Sequence, residues 1–103
     1  MTTGVEVSPG SARPDLAAFR EHWQDESDAS YLYGILAALE PEAKRAGVFA
    51  RLRDIETQHA VIWSQLLAAH GAPPGPFRPS ARGRVLAFLG RRFGTGALVS
   101  LLL

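Results

Sequence analysis

Apolar and polar positions alternate at helical spacing along most of the chain. From Asp15 to about Leu39, Phe19, Trp23, Glu26, Ser30, Tyr33 and Ala37 recur every three or four residues and mark one face of a predicted helix. Leu32, Ile35, Leu36 and Leu39 broaden that stripe toward its end. Pro14 can open the helix, where a missing N–H costs nothing, and Asp15 suits its first turn. Pro41 disfavours helical angles at Glu40, so the break is expected there. A second helix then starts with Pro41 in its first turn and runs to about His70. Its inner face is expected to carry Phe49, Leu52, Glu56, His59, Trp63 and Leu66, with Val48, Ile55, Ile62 and Leu67 beside it. Lys44, Arg45, Arg51 and Arg53 fall elsewhere and are expected in solvent. Gly71 is placed to cap this helix, and Ala72-Pro73-Pro74-Gly75-Pro76 cannot continue it.

Beyond the proline-rich linker, Arg82, Arg84, Arg91 and Arg92 surround Val85, Leu86, Phe88, Leu89 and Phe93. This is the pattern of a basic amphipathic helix, interrupted near Gly94-Thr95-Gly96. The closing Ala97-Leu98-Val99-Ser100-Leu101-Leu102-Leu103 is far shorter than the about 20 residues that span a bilayer, and it reads as a natural protein cut short. The expected organisation is a flexible leader (1–13), a helical hairpin (14–70), a Pro/Gly linker (71–79) and a basic amphipathic helix with an apolar end (80–103). The fold class is all-α: a long antiparallel hairpin plus a short C-terminal helix. Each arm would be roughly 40 Å long, and two such arms expose more apolar surface than they can hide from each other. A third element or a second copy is therefore expected, which points to a homodimer or higher homo-oligomer.

Composition narrows the classes. With 47% apolar and 20% charged residues in 103, the chain is a small globular domain, or a piece of a larger one, rather than a disordered segment. Cysteine is absent, which excludes disulfides and thiolate metal sites. Met1 to Ala12 lack the basic start and apolar run of a signal peptide, so the cytoplasm is the expected compartment. The net charge of +1 hides an asymmetry: every acid lies at or before Glu56, while the segment after it holds five arginines and no acid. The basic end admits association with a membrane, or simple pairing with the acidic half. No nucleic-acid partner is expected, since one amphipathic helix is a poor signature for it. No Ser or Thr has a His/Asp partner at catalytic spacing, and no Gly-rich loop precedes a helix.

One constellation carries chemistry. Glu56 and His59 stand three apart, so they project from the same helical face. A hairpin folded near Pro41 sets Glu26 level with Glu56, Phe19 with Trp63, Trp23 with His59 and Tyr33 with Phe49. Glu26, Glu56 and His59 would then meet at one height, bracketed by aromatic layers. Carboxylate oxygen and imidazole nitrogen suit iron, and di-iron carboxylate bundles use one Glu from each of two helices and Glu-x-x-His from each of the other two. One hairpin supplies half of that set. The competing reading is structural, because Glu-x-x-His is common on helix surfaces and a lone inward histidine is usually a hydrogen-bonded core residue. His22, one turn before Glu26, could reach such a site, and Tyr33 could hydrogen-bond a ligand from the same face. His70 reads as a helix-end residue, and Asp25 and Asp28 as solvent-facing.

Phe19-Arg-Glu-His-Trp-Gln-Asp-Glu-Ser-Asp-Ala-Ser-Tyr-Leu-Tyr33, the Pro41 turn and Asp54-Ile-Glu-Thr-Gln-His-Ala60 resemble the ferritin-like, rubrerythrin-type domain, in the version fused ahead of a vacuolar-iron-transporter-like membrane domain in membrane-bound ferritins. The similarity covers roughly residues 16–70, and Gly90-Arg-Arg-Phe-Gly94 is similar to the segment leading to the next helices in that family. The resemblance implies half of a four-helix bundle, with Glu26, Glu56 and His59 as iron ligands and Tyr33 as an aromatic near the site. It implies Fe(II) binding and oxidation, a ferroxidase activity linked to iron storage or transport, with manganese or zinc as other metals the donors admit. The second Glu and Glu-x-x-His are absent here, as is the membrane domain. Encapsulated ferritins build their di-iron site across a dimer of two-helix hairpins, and the same is expected of this chain. The rival expectations are a metal-free helical oligomerisation module and an inactive remnant of a membrane iron transporter.

Overall fold

The computed structural model describes residues 14–102, which form four helices: α1 (Leu16–Leu39), α2 (Ala43–Ala69), α3 (Ala81–Phe93) and α4 (Thr95–Leu102). The predicted leader lies outside the described residues. The all-α class agrees with the sequence reading, and the helix ends have local causes. The Asp15 carboxylate accepts from the Ala18 N–H, so Asp15 is the N-cap of α1 and not its first turn. Glu42 does the same for α2 by accepting from Lys44 and Arg45, which places Pro41 just ahead of the cap rather than inside the helix. At the other end of α2, Gly71 has φ +77°, with its N–H on the Ala68 carbonyl and the Ala72 N–H on that of Leu67. This double closure is the Schellman arrangement, and Gly71 is the residue that makes it inexpensive.

α1 and α2 run antiparallel. The Phe19 and Trp63 rings meet at 5.5 Å, as their predicted level requires, and the Ser30 and Thr57 hydroxyls are 2.6 Å apart. The Thr57 hydroxyl donates its proton to the Arg53 carbonyl, so Ser30 is the donor between the two helices. The linker does not hang free. Phe77 packs on Trp23 and Tyr31, the Gln24 amide donates to the Arg78 carbonyl, and Ser80 bonds to the Asp28 carboxylate through both its N–H and its hydroxyl. Asp28, expected in solvent, instead anchors the start of α3. α3 then runs beside α1 in the same direction, since Ser80 sits at Asp28 and the Thr95 hydroxyl donates to the buried Glu40 carboxylate. Gly94, at φ +94° and ψ 176°, makes the corner that splits the predicted amphipathic segment into two helices. α4 folds back so that Leu98 lies against Gly90, where a Cβ would come within 2.8 Å of it.

The core is therefore not centred on the hairpin. Leu32, Ile35 and Leu36 of α1 close with Leu86 and Ala87 of α3 and Leu98 of α4, and Tyr31, Tyr33, Phe49 and Val99 pack around them. α1 is the middle layer, touching α2 on one side and α3 and α4 on the other, while α2 touches no helix but α1. Only Leu67 of α2 is fully buried. Val48, Ile55, Ile62 and Leu66 remain exposed, with Ile55 at 47% and Ile62 at 53%. The expected inner face of α2 is thus rotated: Phe49 and Leu67 point inward, whereas His59 and Leu66 are exposed. No helix among the described residues is long and apolar enough to cross a membrane.

Candidate metal centre

The hairpin brings Glu26, Glu56 and His59 together. One donor atom from each lies within 4.8 Å of the others, and this is the grouping of metal-ligating side chains found among the described residues. His59 Nδ1 stands 3.3 Å from Glu56 Oε1 and 3.7 Å from Glu26 Oε1. Two ligands each about 2.1 Å from one ion in tetrahedral or octahedral geometry are separated by roughly 3.0–3.4 Å. The observed spacings fit a shared cation after small side-chain adjustments. Rigidity comes from the backbone: all three residues sit inside long helices, and the Ser30–Thr57 bond lies within four residues of each carboxylate.

Burial differs among the three. The Glu26 and Glu56 side chains are half-buried, while that of His59 is 49% exposed. The site is thus an edge site, with Glu26, His59, Ile62 and Trp63 lining an open depression, rather than one enclosed between aromatic layers. Trp63 does bracket it on one side. Trp23, expected level with His59, is buried and meets Phe77. Two neighbouring carboxylates favour the protonated form, because a shared hydrogen bond replaces like-charge repulsion. The Glu56 carboxyl is accordingly raised above its ordinary 4.5, first by its hydrogen bond with Glu26, then by burial and by the Glu26 charge, while His59 pulls the other way.

The remaining candidates are placed differently. His22 stacks on Trp63 at 4.6 Å and is exposed, outside the donor cluster but against its aromatic wall. Tyr33 packs on the core cluster, two helical turns and about 10 Å along α1 from Glu26. His70 closes α2, its Nδ1 2.9 Å from the Leu66 carbonyl, and its ring faces Phe19. Sequence reasoning missed the Ser30–Thr57 clamp. The register about Pro41 sets Ser30 level with Leu52, five residues from Thr57, so it does not pair the two hydroxyls.

Comparison with models of known protein families, with curated proteins and with solved structures gave no match. The chemistry of the site rests on its own geometry. Three donors, two anionic oxygens and one nitrogen, face a common point from two helices. They are fewer than a closed coordination shell requires, and Glu26 and His59 line an open depression.

Proposed function

We propose that the chain binds iron as half of a di-iron carboxylate site, completed when two copies bring their hairpins together, and that it oxidises Fe(II) in the service of iron storage or transport. The observation that carries this reading is the meeting of Glu26, Glu56 and His59 at ligand-compatible distances on the open edge of the hairpin. Glu26 and Glu56 supply anionic oxygens, and His59 supplies the nitrogen for its own iron. A second copy adds the same three, reproducing the donor inventory of di-iron bundles. Bound Fe(II) is the substrate, and the electron it gives up goes to dioxygen or peroxide from solvent. The ferritin-like resemblance of residues 16–70 points the same way and supplies the bundle geometry in which such a pairing works.

Anaerobic addition of Fe(II) followed by air tests this directly. Binding is expected to saturate at about one iron per chain, with an absorbance change on oxidation, and both are expected to disappear in Glu56→Ala and His59→Ala. No bound iron, or binding indifferent to Glu56→Ala, would sink the proposal. Parallel additions of Mn(II) and Zn(II) establish the preference among metals.

The exposed apolar stripe of α2 supports a second reading, a metal-free oligomerising hairpin, because burying that stripe needs no cation. It predicts an oligomer unaffected by a chelator and by His59→Ala.

A further inference from the structure

α3 buries small residues for the most part: Gly83, Ala87 and Gly90 face inward with Leu86. The helix therefore lies close to its neighbours and turns its larger side chains outward. Val85 is 56% exposed, and Phe88 and Phe93 are 63% exposed each. Val85, Phe88 and Arg92 follow one another at three and four residues, so they share one side of the helix. Arg84 and Arg91, seven apart, run beside that strip, and the Arg92 guanidinium lies over the Phe93 ring at 5.2 Å. Arg82, Arg84, Arg91 and Arg92 are all exposed, and none takes part in an ion pair among the described residues.

Arg84, Arg91 and Arg92 carry the uncompensated charge of this face. No acid follows Glu56 in the sequence. Asp25 and Asp28 line one pocket with Arg82, so Arg82 has carboxylates at hand. Asp28 is also bound to Ser80 at the start of α3, and Glu40 is held by Thr95 and approached by Arg45. The outer face of α3 thus combines bulky apolar groups with three arginines that make no ion pair among the described residues.

We propose that this face docks on an anionic lipid surface, with α3 lying flat at the interface. An interfacial helix needs an apolar strip to enter the headgroup boundary and a basic flank to hold phosphate and carboxylate headgroups. Val85 and Phe88 form the first, with Phe93 exposed at the helix end, and Arg84 and Arg91 beside that strip, with Arg92 on its own side, form the second. A nucleic-acid backbone would match the charge but leave Val85 and Phe88 against polar phosphate, so the apolar strip selects lipid. The proposed contact lies along the surface; no helix among the described residues is long and apolar enough to cross a bilayer.

Co-sedimentation of the full chain with vesicles tests the assignment. Partition onto phosphatidylcholine vesicles containing phosphatidylserine is expected, with little onto phosphatidylcholine alone and with release as salt is raised. Each arginine near an anionic surface is worth about a fivefold change in partition, so Arg91→Gln with Arg92→Gln should lower it roughly 25-fold. Phe88→Ser with Phe93→Ser should also abolish or sharply reduce it while every arginine is kept. All four positions are exposed, and unchanged circular dichroism confirms that the fold survives. Absence of partition, equal partition onto neutral and anionic vesicles, or insensitivity to salt overturns the proposal. So does a loss in the arginine double variant with none in the phenylalanine double variant, which marks a purely electrostatic surface such as one for RNA, or a loss caused by Ile55→Ser on α2 with the α3 variants unaffected.

Discussion

Glu56 is the residue through which the proposed metal binding would act on the stability of the fold. Its carboxyl is raised above the 4.5 it has in an unfolded chain, chiefly through the proton it shares with Glu26. A carboxyl with a raised folded value stabilises the fold most below the unfolded value, and that contribution is lost as pH rises through the folded one. The metal-free protein is therefore expected to lose stability as pH rises from 4.5 through the raised value, by the part due to this pair. Glu56→Gln keeps the hydrogen bond and removes the charge, so it should flatten that fall and be more stable than the parent at neutral pH. Thermal melts with a chelator across this range check it, and a parent-like pH profile in Glu56→Gln would refute it. The three donors themselves were legible in the sequence, because helical spacing and one proline fix which residues share a level. Their exposure was not. His59 follows Val48 and Ile55, and precedes Ile62 and Leu66, on a single stripe of α2. Which stripe faces α1 depends on a rotation of a few tens of degrees that periodicity alone leaves open.

Among the elements, α3 owes its position to a contact the chain pattern does not announce. Asp28 and Ser80 lie 52 residues apart, and Asp28 stands in an acidic run that reads as solvated helix surface. The Asp28 carboxylate nonetheless receives the Ser80 N–H and hydroxyl, while the same Ser80 hydroxyl caps α3 by accepting from the Gly83 N–H. Asp28→Ala removes the group that orients this cap and leaves partly buried donors without a partner. A loss of about 1–3 kcal/mol is expected. It should appear in hydrogen exchange as faster opening of α3 and α4, with the middle of α2 little changed, because α2 makes no contact with either. Uniform acceleration across all helices would show that Asp28 acts on the whole fold. By contrast, the ends of α2 were legible to within two residues, since Pro41 and Gly71 act locally and need no tertiary partner.

At the scale of the molecule, the layering leaves α2 with one neighbour and an uncovered apolar stripe. The same stripe holds His59, so a surface that covers it also covers the open edge of the donor cluster. In the proposed dimer a second copy covers both, because a two-fold interface lays the stripe against the same stripe of its partner. Self-association with a midpoint within the micromolar range or tighter is then expected, driven by Val48, Ile55, Ile62 and Leu66. Val48→Lys together with Leu66→Lys places charge at two points along the stripe, eight residues before Glu56 and seven after His59. Both positions are solvent-exposed in the single chain, so helicity should persist while association weakens about 100-fold or more. Sedimentation equilibrium reads the association, and iron content measured on the same samples separates the explanations. If two chains complete the site, the double variant loses iron along with the dimer, and Glu56→Gln loses iron while the dimer persists. A double variant that is monomeric yet binds iron as the parent does would mean that each hairpin holds its metal alone. A parent chain that is monomeric at every concentration would remove the second copy from the argument altogether.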